Sequence, residues 1–253
     1  MSSGRMSDRE PGAAVIEHVV RLQEATPRRS ALARVFGVAP LSDDVRSWYV
    51  GALGERAVGA WLSRLPAGWT VFHALPVGAA DSDVDHLVVG PGGVFVVNTK
   101  HHPGARVSVG ERVVFVGGVK HPYLRNSDLE AARVRGILAR ARIAAPVQAV
   151  VAIVGAKELR MRHQPPRATV LRAETLTGWL ARRPPAVDPE TVARIVGLVD
   201  DPATWRPIEP LPDALERFGA IQREVRSARL VRSGWGLAAL LAAVAAALPF
   251  TIR

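Results

Sequence analysis

The stretch Asp81 to His102, DSDVDHLVVGPGGVFVVNTKHH, decides how the rest of the chain is read. Two apolar runs flank Gly90-Pro91-Gly92-Gly93, a turn signal, so the stretch predicts a β-hairpin. Side chains alternate across a strand. Asp83, Asp85, Leu87 and Val89 therefore share a face of the first strand, and Val94, Val96, Asn98 and Lys100 share a face of the second. If these two faces coincide, Asp85, Asn98 and Lys100 stand together at the open end of the hairpin, above an apolar base. An acid, an amide and a lysine so placed are the start of a metal-dependent phosphodiester site. Such hydrolysis needs a metal-activated water and neutralisation of phosphate charge.

A helix is predicted just upstream, from Val45 to Leu65. Ser42-Asp43-Asp44 supplies an N-terminus with acids suited to the helix dipole, and Pro66-Ala67-Gly68 stops it. At about 100° per residue, Trp48, Ala52, Val58, Gly59 and Leu62 fall on one side, with Glu55 among them. A carboxylate on the core side of a helix is costly unless paired or metal-bound. Either an arginine satisfies Glu55 or it joins the acid of the hairpin; the acid-bearing element that follows directly favours the second reading. Mg²⁺ and Mn²⁺ take oxygen ligands. Glu55 and Asp85 would supply carboxylates and the main-chain carbonyl of Thr99 a further oxygen, with Lys100 holding the phosphate or orienting the water. A histidine metal site from His73, His86, His101 or His102 is the weaker alternative. The adjacent His101 and His102 point to opposite faces of a strand, and His86 faces away from Asp85.

Trp69 to Val77 predicts a strand before the hairpin, and Arg106 to Val109 and Arg112 to Val116 two more around Gly110-Glu111. Asn126 or Ser127 would cap a helix running to Arg142, with Val134, Ile137, Leu138 and Ala141 as its apolar stripe. Glu130 also falls on that stripe, as a weaker second inward acid. The arginines bordering the stripe (Arg133, Arg140, Arg135, Arg142) read as side chains snorkelling beside a core face. Val147 to Val154 is a continuous apolar run, the mark of a strand buried on both faces. Ala168 to Leu171 is a short strand, followed by helices from Glu174 to Arg182 and Pro189 to Leu198. At the other end, Ala13 to Ala25 predicts a short amphipathic helix, followed by the basic break Thr26-Pro27-Arg28-Arg29.

The 253 residues, 48% hydrophobic, suit one globular domain plus extras. There is no cysteine, which excludes disulfides, thiolate zinc sites and a thiol nucleophile. The opening MSSGRMSDREPG has no apolar core of a secretory signal. The net charge of +10 attracts nucleic acid or anionic lipid. Only Lys100, Lys120 and Lys157 are lysines, however, and an arginine-, alanine- and valine-rich chain is also what a GC-rich genome encodes. Leu211 to Arg232 predicts a basic helix carrying Arg223, Arg226, Arg229 and Arg232. From Ser233 to Ile252 no charge occurs, the length that spans a bilayer, with Trp235 at one end. An alanine-rich core helix is the competing reading.

Several stretches together resemble a nuclease-related domain (NERD) protein of the kind common in actinobacteria, a distant branch of the PD-(D/E)XK nuclease superfamily. They are VGALGERAVGAWLSRL at Val50 to Leu65, WTVFHALPVG at Trp69 to Gly78, SDVDHLVVGPGGVFVVNTKHH at Ser82 to His102, YLRNSDLEAAR at Tyr123 to Arg133, and PATW at Pro202 to Trp205. The resemblance implies an α/β fold with an αβββαβ core, a central mixed sheet flanked by helices. It also implies a site in which Glu55 is the helix acid, Asp85 the first metal acid and Lys100 the lysine. The acid of the family's E-x-K element falls on Asn98, a neutral and weaker ligand.

The expected domain plan is a peripheral segment over 1–42, the nuclease-related domain over 43–205, a basic helical linker over 206–232 and a transmembrane helix over 233–252. The expected function is a Mg²⁺- or Mn²⁺-dependent nuclease acting on DNA or RNA, with Glu55, Asp85, Asn98 and the Thr99 main chain at the metal and Lys100 at the phosphate. A C-terminal anchor would hold it on the cell membrane, the domain facing the cytoplasm because of the arginines before the span; a wholly cytoplasmic protein is the alternative. The rival function is a catalytically degenerate nucleic-acid-binding module, with Asn98 marking lost chemistry.

Overall fold

The computed structural model describes residues 4–27, 29–38, 40–78 and 83–251, with side chains to residue 245. Arg28, Asp81, Ser82 and Ile252 lie outside the described residues. The chain divides into two compact units: Met1–Val15 with Val50–Pro210, and Ile16–Tyr49 with Leu211–Arg253. The division falls within helices α1 (Ala13–Ala25) and α3 (Asp43–Leu62), which flank a short α2 (Ala31–Val35).

The first unit is built on a five-stranded mixed sheet. Its strands are β1 (Thr70–Leu75), β2 (Val84–Gly90), β3 (Gly93–His101), β7 (Val147–Val154) and β9 (Ala168–Arg172), adjacent in that order. The pairs β1–β2 and β2–β3 are antiparallel, and β3–β7 and β7–β9 are parallel. Between β3 and β7 the chain forms β4 (Arg106–Val109), β5 (Val114–Val116), β6 (Val119–His121) and helix α4 (Tyr123–Arg140). The small strands join β8 (Glu158–Met161) in a second sheet, ordered β6-β5-β4-β8. This is the αβββαβ order read from the sequence, with a central mixed sheet flanked by helices.

The apolar runs of the hairpin feed two cores, one on each sheet face. Leu87, Val89, Val94 and Val96 pack with Ala131, Val134 and Leu138 of α4. Val88, Phe95 and Val97 pack on the other side with Val58 and Leu62 of α3, and with Leu176 and Leu180 of α5 (Leu176–Ala181). Helix α6 (Pro189–Asp200) adds Ile195 and Val199 to the α4 side. β7 is buried over its last six residues, as expected of a strand covered on both faces.

Helix α4 starts about a turn before the predicted cap. Its first helical bond runs from the Asn126 amide to the Pro122 carbonyl, 3.1 Å, and no side chain caps it. Pro122, with its φ of −84°, begins the helix, which leaves Asn126 and Ser127 inside it.

In the second unit, the last helix, α7 (Ala214–Thr251), runs unbroken through the basic and the apolar stretches. Tyr49 lies 5.5 Å, ring to ring, from Phe218, and Arg29 pairs with Glu224 at 3.0 Å. Trp235 lies 5.3 Å, ring to ring and tilted by 38°, from Phe36 and donates its indole N–H to the Val35 carbonyl at 2.8 Å. Beyond it, Leu237, Leu240, Leu241 and Val244 are exposed.

Candidate functional site

The pairing of β2 with β3 decides what the hairpin presents. Leu87 lies opposite Val96 and Val89 opposite Val94. Continued by two residues, this register sets Asp85 opposite Asn98, so the two faces coincide. The main-chain N–H of Thr99 reaches across and donates to Asp85 Oδ2 at 2.6 Å. The parallel partner β7 holds the other edge of this segment, with Asn98 opposite Val151 and Lys100 opposite Ile153. Thr99 therefore enters the site through its amide, which fixes the Asp85 carboxylate.

Asn98 is buried, and its Nδ2 donates to both carboxylate oxygens of Glu130, each at 2.8 Å. Charge dictates this amide orientation, since the reverse would set a carbonyl oxygen against a carboxylate. The Oδ1 of Asn98 thus turns away from Glu130, where it is buried without a hydrogen-bond partner. Glu130 is itself buried on the inner side of α4, in the row of Ser127, Ala131 and Val134. The sequence marks it only as an inward acid; its partner in Asn98 lies 32 residues away.

Glu55 is buried at 6% exposure, as its place on the α3 stripe implies. Helix α3 is tied to the end of β3 by His101, whose Nδ1–H donates to the Val50 carbonyl at 2.7 Å. The close approach makes glycine necessary at Gly54: a Cβ there would stand 2.6 Å from the Cβ of His101. Lys100 is half-buried, its Nζ 5.2 Å from the centre of the Tyr123 ring. Tyr123 is hydrogen-bonded through its hydroxyl to His102 Nε2 at 3.0 Å.

These groups feel one another's charge. Burial, and next the Asp85 carboxylate, push the Glu55 carboxyl well above the ordinary range, against the pull of Lys100. Burial also raises Asp85, opposed by Lys100 and by the Thr99 N–H. Burial and Asp85 push Glu130 up to about 7, with the Asn98 amide opposing. Burial, followed by His121 and Lys100, lowers His102 to about 4, so it is neutral at pH 7. Three acids therefore surround one lysine, and folding leaves their repulsion only partly compensated.

The histidines do not assemble. His73 and His86 meet Nδ1 to Nδ1 at 2.8 Å, and burial holds both below the usual histidine range. Among the described residues no three His, Asp or Glu side chains form a ready cation cage. A depression of about 700 Å³ lies elsewhere, beside β9, where Asp128 pairs with Arg135 and Arg167 at 3.3 Å each.

The sequence profile of the nuclease-related domain family matches residues 50–154. The chain carries a nuclease-related domain. The match runs from the Val50 that anchors His101 to the last residue of β7, and it contains Glu55, Asp85, Asn98, Lys100 and Glu130. No curated protein and no solved structure matches the chain. The mixed α/β architecture of the domain is the nuclease-like fold that the sequence resemblance implies.

Glu130 gives the domain a measurable pH dependence. Its carboxyl keeps a proton to about pH 7 when folded and loses it near 4.5 when unfolded. The folded state therefore binds more protons across that window, and stability falls as pH rises through it, by about 3 kcal/mol at most. In metal-free buffer, the tryptophan-detected unfolding free energy should decline from pH 5 to pH 8, and Glu130→Gln should flatten that decline. An equal slope in the variant would contradict the account.

Proposed function

We propose that the nuclease-related domain hydrolyses phosphodiester bonds in nucleic acid with a divalent cation, Mg²⁺ or Mn²⁺. The observation that carries this reading is the set of buried Glu55 and Glu130 and half-buried Asp85 with Asn98 and Lys100, the Asn98 Oδ1 left unpartnered. The donor set fits such an ion. It is all oxygen, as hard cations require, and its negative charge lacks full compensation. Mg²⁺ keeps several of its waters and needs only one or two carboxylates, so the absence of a three-acid cage is no obstacle. Glu55 and Asp85 would hold the ion, with the Asn98 Oδ1 and the Thr99 carbonyl as neutral oxygens. When bound, the cation supplies a Lewis acid and a water acidified toward neutrality.

The remaining roles fall to the chain's own groups. Lys100 binds a phosphate oxygen and offsets the charge that builds on it. Asn98 holds the Glu130 carboxylate through two hydrogen bonds, and Glu130, poised near neutrality, takes the proton of the attacking water. In this reading Asn98 is a positioning residue, and α4 returns the acid that its substitution removes from the E-x-K position. The second reading, a degenerate binding module, draws on that same substitution.

Cleavage of plasmid, linear duplex and single-stranded DNA and of RNA, titrated with Mg²⁺ and Mn²⁺, separates the two. The first reading expects cation-dependent cutting that Asp85→Ala and Lys100→Ala each lower by at least about 100-fold. Cutting that survives both substitutions would overturn it. Salt-sensitive binding without cutting under any cation would establish the degenerate module.

We also propose that the apolar end of α7 anchors the chain in the cell membrane, with the domain on the cytoplasmic side. The helix is long and apolar enough to cross a bilayer over Ala214–Ala245, and its apolar window is almost wholly exposed. Arg223, Arg226, Arg229 and Arg232 precede its uncharged stretch, which begins at Ser233, the positive-inside pattern. Beside Trp235, the exposed Leu32, Val35, Phe36 and Val38 add an apolar patch suited to the lipid interface. Cell fractionation should place the full chain in the membrane pellet and a version ending at residue 232 in the soluble fraction. A soluble full chain would contradict the anchor.

A further inference from the structure

The small sheet turns one face to the core and leaves the other uncovered. Val107, Val109 and Val114 point inward and are buried. The register sets Ser108 opposite both Arg160 and Phe115, and Phe115 opposite Lys120. The outward row across four strands is therefore Arg160, Ser108, Phe115, Lys120. Arg106 and Glu158 face each other in the next row, and Arg162 follows β8, its amide bonded to the Val109 carbonyl at 2.9 Å.

This face forms a shallow depression of about 500 Å³, lined by Arg106, Ser108, Phe115, Glu158, Arg160 and Arg162. Phe115 is 36% exposed, although a large aromatic ring on a sheet face is ordinarily covered. Four cations surround it, against one acid. Glu158 engages Arg106 and Arg160, at 3.9 and 2.5 Å, whereas Lys120 and Arg162 make no ion pair among the described residues.

The face is also an extension of the candidate site. The parallel β3–β7 ladder does not stop at His101. It passes through three bonds of 2.9 Å, His102 N–H to Val154 O, Gly104 N–H to Gly155 O and Lys157 N–H to Ala105 O, into the β4–β8 pair. Lys100 and Ser108 thus lie eight residues apart along one run of chain, at most about 26 Å.

We propose that this outward face binds single-stranded nucleic acid, with a base stacked on Phe115 and the flanking phosphates held by Arg106, Lys120, Arg160 and Arg162. An exposed aromatic ring within a cationic groove is the arrangement that reads unpaired bases without sequence preference. Duplex DNA hides its base faces in the stack, so the ring selects for single strands. The inference deepens the nuclease reading by naming its substrate class as single-stranded or locally unpaired nucleic acid delivered along the ladder to Lys100. The binding face itself stands on Phe115 and its cations alone.

The test is fluorescence anisotropy of a labelled oligothymidylate titrated with the full-length chain in detergent, with EDTA present so that no cleavage occurs. Phe115→Ala should weaken binding about tenfold with little change in salt dependence, while Phe115→Tyr keeps the parental affinity. The double variant Arg160→Ala with Arg162→Ala should lower the slope of log affinity against log salt by about 1 to 2. A duplex of equal length should compete less well than the single strand. Parental affinity in Phe115→Ala would overturn the proposal, as would an equal loss in Phe115→Tyr, which would mean that the ring serves folding. Because cleavage is not read, a domain that never cuts but loses affinity on Phe115→Ala upholds the face and refutes only the nuclease reading.

Discussion

A one-residue slip in the pairing of β2 with β3 would put Asp85 on the opposite face of the sheet from Asn98 and Lys100. The site therefore depends on that register. The tight Gly90–Gly93 closure sets it at one end. Gly93, at a φ of 120°, lets the chain pass so close to Pro146 that an added Cβ would meet its carbonyl oxygen at 2.9 Å. From there the Val94 amide bonds to that same carbonyl at 2.9 Å and starts the parallel ladder with β7. At the other end the Thr99 amide closes on Asp85. A hairpin clamped at its turn, along its edge and at its mouth holds an acid where burial alone would reject one.

The cost of that arrangement is electrostatic. Glu55 arrives from the helix on one face of the sheet and Glu130 from the helix on the other, and both meet the field of Asp85. Lys100 offsets part of the repulsion, and Asn98 supplies two hydrogen bonds to Glu130. An unpartnered amide oxygen and raised carboxyl groups remain. A fold evolved only for stability would fill this place with apolar side chains, because buried acids without full pairing are costly. Groups held in unfavourable protonation states near one another are instead the usual mark of a working site.

Much of this is legible in the sequence, for identifiable reasons. Two apolar runs within Val84–Val97, with Gly-Pro-Gly-Gly at the bend, give the hairpin, and the alternation of side chains along a strand gives the shared face of Asn98 and Lys100 and of Asp85 with Leu87. The helical period gives the inward Glu55, and the apolar run of Val147–Val154 gives β7. The link between Asn98 and Glu130 is not legible, because it forms only when α4 packs over β3. Nor are β6 and β8, of three and four residues, since such short runs hold no period and pair through long-range contacts. With β8 hidden, the outward row around Phe115 stays hidden too, as its register needs all four strands.

In the proposed site a divalent cation is held by acids from two separate elements. The most direct test is anomalous diffraction at the manganese edge from crystals of the full-length protein soaked in Mn²⁺. The account predicts one strong peak bound by the Glu55 and Asp85 carboxylates with the Asn98 Oδ1 facing it. A saturating soak that leaves those carboxylates without a peak, with Lys100 paired to Asp85 in its place, would contradict it.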